Sequence, residues 1–304
     1  MSQSNRRQHQ GEAYAIALSV IEAHFPIFAF FTVTALGALH AYFYSLLIAT
    51  VLLVGWVSLR GKLNELRRTQ AWRDLALTSL FITSLFSLIF LALNHTSPSH
   101  VAIILFLQVL FSYLFLGRRR GETLDPPHLI GVILMTLGAL IILFPGELTL
   151  NPGDALALLA AMIAPFANLF QKRARSHVSS ETILMVRSLI ALPVLYLLAT
   201  LIETKPAWPE IEAQWLWLFL TGAGVFVVSK IFWIEALHRL PITKVNALFA
   251  FSPLLTMGLA WWWLQDAPTW TQILGALPVL VGSYFITQKI QPPKSIEQDR
   301  EKSG

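Results

Sequence analysis

Ten apolar windows run through this chain of 304 residues, at about 12–33, 38–59, 73–93, 99–117, 128–145, 153–172, 182–202, 214–237, 245–264 and 270–288. Each is long enough to cross a hydrocarbon layer of about 30 Å. Nothing else restricts the fold so strongly. Within hydrocarbon, every backbone N–H and C=O must find its partner inside the protein, which leaves only helices and closed barrels. The windows are too long and too uninterrupted for the tilted strands of a membrane barrel. The reading is therefore an all-α integral membrane fold of ten transmembrane helices. With 55% hydrophobic and 13% charged residues, the chain carries about half the charge of a soluble domain.

The start of the chain, MSQSNRRQHQG, places two arginines ahead of an apolar run, as a signal peptide does. That run is too long for a signal peptide and contains Glu22 and His24, so it reads as an uncleaved first span. The absence of cysteine excludes disulfides and thiolate metal sites. A net charge of +5 could suggest nucleic acid, but its distribution points elsewhere. With the N-terminus inside, 22 Lys and Arg divide sharply: only Lys205 falls outside, Arg187 and Lys230 lie within spans, and the rest are inside. The positive-inside rule then places both termini in the cytoplasm. Trp208, Trp215, Trp217, Trp261, Trp262, Trp263 and Trp270 all fall at the outer ends of spans, where amphipathic rings settle among headgroups.

An offset of 144 residues sets His100 on Lys244, Val101 on Val245, Glu122 on Asp266, Gly131 on Gly275 and Gly138 on Gly282. The chain thus divides into a cytoplasmic tail (1–11), a first five-helix repeat (12–145), a second (153–288) and a cytoplasmic C-terminal tail (289–304). Five is odd, so the two halves enter the membrane in opposite orientations, the inverted repeat found in many transporters.

The segment "FAFSPLL" with Pro253, then Asp266, Gly275 and Gly282, is matched in the first half by Glu122, Gly131 and Gly138. Together with "EAHFP" in the first span, this resembles the drug/metabolite transporter superfamily, in particular its EamA-type ten-helix members. The pattern departs from that family at three places: Gln108–Val109 replaces a proline in the fourth span, Phe43 stands where the second half has Arg187, and Ala29 lies near the position of a basic residue common in the first span. The resemblance implies a secondary transporter working by alternating access, with no cofactor.

Substrate sites in inverted-repeat transporters lie near the bilayer midplane between the halves. Counting from the span ends, Glu22 and His24 fall near the middle of span one, Gln108 of span four, and Ser252–Pro253 of span nine. Glu22 is the leading candidate, because an isolated carboxylate at that depth is disfavoured as an anion and tends to bind a proton. The small multidrug resistance proteins, a shorter branch of the superfamily, resemble this with an embedded glutamate in their first helix. His24 is turned about 200° from Glu22, so only one of the two can face a central cavity. His24 aligns with Asn168 at the 144-residue offset, which favours packing for both. Arg187 and Lys230 could hold a carboxylate or phosphate; Lys230 reads as snorkelling to the headgroups and Arg187 as buried. The face of Asn246, Phe249, Pro253 and Thr256 is the most plausible lining of span nine.

No H-E-x-x-H, nucleophile elbow or P-loop is present, so the chain reads as a transporter and not an enzyme. The sequence-based expectation is an inner-membrane exporter of small metabolites or amino-acid-like solutes, monomeric, with no nucleic-acid partner and with protons as coupling ion at Glu22. Two alternatives stay open: an exporter of cationic drugs, and a membrane scaffold that transports nothing.

Overall fold

The computed structural model describes residues 3–117, 126–144, 151–240, 245, 248–249 and 251–287, and every regular element among them is helical. Helix α1 (Gln3–Leu36) runs through Pro26 without ending. Gly37 breaks the chain before α2 (Ala38–Leu59) with a φ of 84°, a conformation that side chains with a Cβ rarely adopt. After α3 (Trp72–Leu93), two starts use the same local chemistry. In α4 (Pro98–Phe106) the Ser97 hydroxyl accepts from His100 N–H, and in α7 (Pro152–Arg175) the Asn151 side chain accepts from Gly153 N–H. Both have proline at the first turn, where its missing N–H costs nothing.

Between these lie α5 (Gln108–Ser112) and α6 (Pro126–Leu143); α8 (Ser180–Ile202), α9 (Trp208–Ala213) and α10 (Trp215–Phe219) follow. A π-helical stretch, Leu220–Ser229, leads directly into α11 (Lys230–Arg239). The last two helices are α12 (Ser252–Leu264) and α13 (Trp270–Thr287).

Eight segments of the described residues are long and apolar enough to cross a membrane. The last two sequence windows correspond to the shorter α12 and α13, and residues 246–247 and 250 of the ninth window lie outside the described residues. Large apolar side chains face outward along the bundle: Val51 is 64% exposed, Leu201 74% and Trp262 71%. Such a surface is suited to lipid and unsuited to water.

Helix pairing fixes the interior. The main partners are α6 with α13, α3 with α7, α2 with α8, and α1 with α11. A Cβ on Gly138 would lie 2.5 Å from the Gly275 carbonyl oxygen, and one on Gly282 would lie 2.7 Å from that of Gly131. Without water to drive association, small residues that let backbones meet are what hold such helices together. Around the centre, Phe25, Tyr42, Phe86, Phe90 and Phe226 pack ring against ring at centroid separations of 5.1–6.3 Å.

Carboxylates just past the end of the partner helix cap α2 and α8 at their N-termini. Glu203, just past the end of α8, accepts from Leu39 N–H (2.9 Å) and His40 N–H (3.1 Å) and meets His40 Nδ1 at 3.0 Å. Glu65, past the end of α2, accepts from Ser179 N–H at 2.7 Å, the residue before α8. Burial opposes ionisation of Glu65, but the Ser179 N–H and nearby hydroxyls outweigh it and hold its pKa below the usual value. A negative charge at a helix N-terminus also meets the positive end of the helix dipole. Lys62 adds an ion pair to Glu181 at 3.1 Å at the same end as Glu65.

The glycine contacts are tested by two substitutions of the same kind. Gly138→Ala forces the α6–α13 backbones apart and should lower stability by about 1–3 kcal/mol, as overpacking does. Gly258→Ala meets nothing within 4 Å and should leave the melting temperature unchanged or raise it slightly, since alanine favours helix. Thermal unfolding of both variants in detergent checks the pair.

Candidate functional site

Where the helices converge lies a cavity of about 100 Å³ with residues from α1, α3, α4, α5, α7, α8, α11, α12 and Phe249 in its walls. Most of the wall is apolar and aromatic. Trp233 meets Phe249 edge-on at 5.4 Å, and Phe25 meets Phe86 in the same way at 5.6 Å. Pro26, one turn beyond Glu22, cannot donate to that residue's carbonyl, so the first helix carries a local weakness at the cavity.

Three ionisable side chains reach this apolar space. Glu22 accepts hydrogen bonds from the Ser229 hydroxyl and from Lys230 Nζ, the latter at 2.5 Å. The ammonium of Lys230 also lies 5.1 Å above the Phe86 ring, a contact favourable for a cation. Little of either ion is accessible, 11% of the Lys230 side chain and 9% of Glu22. Snorkelling of Lys230, expected from the sequence, is therefore corrected: its ammonium turns inward to the carboxylate of Glu22. The π-helical stretch that ends at Ser229 sets the phase at which Ser229 and Lys230 both meet Glu22. Such irregular turns often mark functional positions.

Arg187 is 3% exposed, and neither its Nε nor its Nη1 has a hydrogen-bond partner among the described residues. Opposite it, polar amides form a short chain: Asn168 accepts from Trp233 Nε1 at 3.0 Å and donates to Gln108 Oε1 at 3.4 Å. Gln171, one turn on from Asn168, also lines the cavity with its Oε1 unpartnered among the described residues. The Thr256 hydroxyl donates to the Ala23 carbonyl at 2.9 Å and ties α12 to α1.

Of the residues singled out in the sequence, Glu22, Gln108, Asn168, Arg187, Phe249, Ser252 and Pro253 line this cavity together. His24 does not. Its Nδ1 lies 2.8 Å from the Val20 carbonyl, and its ring packs against Phe28 and Trp263. The 200° turn between it and Glu22 sends the histidine to the far side of α1. Asn246 lies outside the described residues. The sequence reading missed Ser229 and Gln171. Gln171 could have been found from its i+3 spacing to Asn168, whereas Ser229 gave no signal beyond its place next to Lys230.

A family model described as the EamA-like transporter family matches the chain twice, at residues 9–144 and 151–288. A protein of Synechocystis sp. named as an uncharacterized transporter is 22% identical over 73% of this chain and 67% of its own length. A riboflavin transporter of Vibrio cholerae is 27% identical over 59% of this chain and 59% of its own length. A crystal structure with 19% sequence identity superposes with a TM-score of 0.65, covering 92% of this chain and 96% of the other, and is similar in fold.

Removing one partner of the Glu22–Lys230 pair leaves the other charge uncompensated. Lys230→Met should cost about 2 kcal/mol, less than the 3–5 of a fully buried pair because this one borders a cavity. The double variant with Glu22→Gln should recover most of that loss. A double-mutant cycle on thermal unfolding measures the coupling, and additive losses would mean that the pair is not formed.

Proposed function

Because the chain belongs to the EamA-like transporter family, a family of membrane transporters, we propose that it is a secondary transporter that carries small metabolites, amino-acid-like solutes among them, by alternating access. One observation carries the reading: three ionisable side chains, Glu22, Arg187 and Lys230, line one mostly apolar cavity at the centre of the bundle. Intramembrane ionisable groups are costly and mark solute or ion pathways. A scaffold has no need of such a cavity. The cationic-drug alternative is disfavoured by its charge, since two cations face one carboxylate there.

The mechanism is that of two inverted five-helix halves, 12–145 and 153–288. Reciprocal contacts support it. Gly131 and Gly138 correspond to Gly275 and Gly282 at the 144-residue offset, yet Gly138 meets Gly275 and Gly131 meets Gly282. Contacts that exchange partners in this way are the mark of a two-fold axis. The order is also reversed along the helices, so α6 and α13 run antiparallel, as an axis in the membrane plane requires. The charge distribution of the loops supports an inner-membrane location with both termini in the cytoplasm.

Glu22 is the proposed proton carrier. It lines the cavity, the only acidic side chain among the described residues to do so, and a carboxylate that alternates between Lys230 and a proton can couple transport to a pH gradient. Counterflow in proteoliposomes, with a panel of amino acids, carboxylates and organic cations, tests the transport reading. Glu22→Gln should retain exchange of the transported solute and lose accumulation driven by a pH gradient. Accumulation by Glu22→Gln equal to wild type under every gradient would remove the proton role.

A further inference from the structure

The charges around the cavity do not cancel. Glu22 is hydrogen-bonded to Ser229 and Lys230 and reaches Arg187 only through space, so two cations share one carboxylate and the cavity carries one positive charge in excess. The remaining ionisable group near Arg187 is the Tyr42 phenol on α2, which is neutral in its ordinary form. A guanidinium has five donors and no acceptor. Buried, with Nε and Nη1 unpartnered among the described residues, it carries a desolvation cost that an incoming acceptor relieves.

We propose that the cavity selects a small monocarboxylate, one carboxylate on a compact apolar body, and that Arg187 is the residue that holds the carboxylate. This rests on the transporter reading above and narrows its solute class to monocarboxylates, setting aside the zwitterionic amino acids included there. A single negative charge brings the site to neutrality, whereas a phosphate dianion overshoots it. A zwitterionic amino acid adds no net charge and brings an ammonium beside Lys230. A cation adds to a charge that is already positive. The guanidinium fork can hold a carboxylate through two parallel hydrogen bonds, and charge count is what sets it apart from a phosphate dianion. The aromatic part of the wall, Phe25, Phe86, Phe106, Trp233 and Phe249, suits an apolar body, while the amides of Gln108, Asn168 and Gln171 supply its polar edge. Its size is bounded as well: about 100 Å³ is below the roughly 150 Å³ of a cavity that takes up benzene. A short chain such as that of butyrate therefore fits this conformation, and a ring such as that of benzoate requires the cavity to widen.

The proposal predicts opposite signs at two residues. Arg187→Gln removes the attracting charge, while Glu22→Gln removes the competing anion and leaves both cations free. The probes are butyrate and benzoate, with benzylamine, benzyl alcohol, phenylalanine and inorganic phosphate as comparators. Binding is read by ligand-induced thermal stabilisation of the purified full-length protein in lipid nanodiscs. Butyrate or benzoate should stabilise the protein and the comparators should not. Apparent affinity for the carboxylate should fall about tenfold or more in Arg187→Gln, fall less in Arg187→Lys, and rise in Glu22→Gln. If Arg187→Gln does not fold, the Arg187→Lys and Glu22→Gln pair still decides the sign. Stabilisation by benzylamine or phenylalanine equal to that by benzoate, or carboxylate affinity unchanged by both Arg187 variants, overturns the proposal. Counterflow separates the two readings: robust exchange without preference for carboxylates removes this inference and leaves the transporter, whereas carboxylate binding with no exchange of any probe removes the transporter and leaves the site.

Discussion

A polar group placed inside a membrane protein has only the protein itself to turn to, and at the centre of this bundle that constraint acts through Glu22. The carboxylate accepts from Ser229 and Lys230, on a chain segment more than two hundred residues away in sequence. Fixing this contact fixes the rotation of α1. Phe25 and Pro26 then turn to the cavity with Glu22, while His24 points to Phe28 and Trp263 on the far side. Consecutive residues of a regular helix point about 100° apart, so two neighbours rarely serve one carboxylate. The long reach of lysine, the short reach of serine and the widened turn before them allow both to do so here.

The proposed two-fold relation and the charges follow different rules. Helix pairs and glycine contacts come in reciprocal sets, and α2 and α8 are each capped by a carboxylate lying past the end of the other. The charges do not. At the 144-residue offset Glu22 corresponds to Phe166, Arg187 to Phe43 and Lys230 to Phe86. A symmetric copy of each would set like charges against each other around one small cavity, where little water screens them. Lys230 instead rests on the ring of its own counterpart, Phe86. The frame can be duplicated; a charge close to the axis cannot.

The same distinction explains what the sequence revealed. Hydrophobic length alone exposes the spans, because hydrocarbon thickness sets it, and polar residues stand out inside them. Glu22, Gln108 and Arg187 stood out in the sequence for that reason, whereas Asn168 read as packing and yet lines the cavity. What depends on distant pairing was not. Lys230 read as snorkelling because its partner is remote, and the phase of α1 decided between Glu22 and His24 in a way that their spacing could not. Nothing local to Glu203 marks it as the cap of α2, since Leu39 and His40 are more than 160 residues away. The π-helical turn before Ser229 left no periodic trace.

The caps also bear on how the cavity can open. Helices α2 and α8 are joined at one end by Glu203 and at the other by Glu65 and the Lys62–Glu181 pair. Each cap contributes on the order of 1 kcal/mol, so parting these two helices breaks several polar contacts at once. Helices α1 and α11 are joined in the same sense by Glu22 and Lys230. A rearrangement costs least when each pair moves as a unit. Arg187 then travels with α2–α8 and the Glu22–Lys230 pair with α1–α11, so the lone guanidinium and the compensated pair belong to different bodies. An anion seated at Arg187 lies between them, and its charge is felt by both. Under the proposed mechanism, binding of the solute is therefore coupled to the relative position of the two bodies through charge alone, without a further linking element.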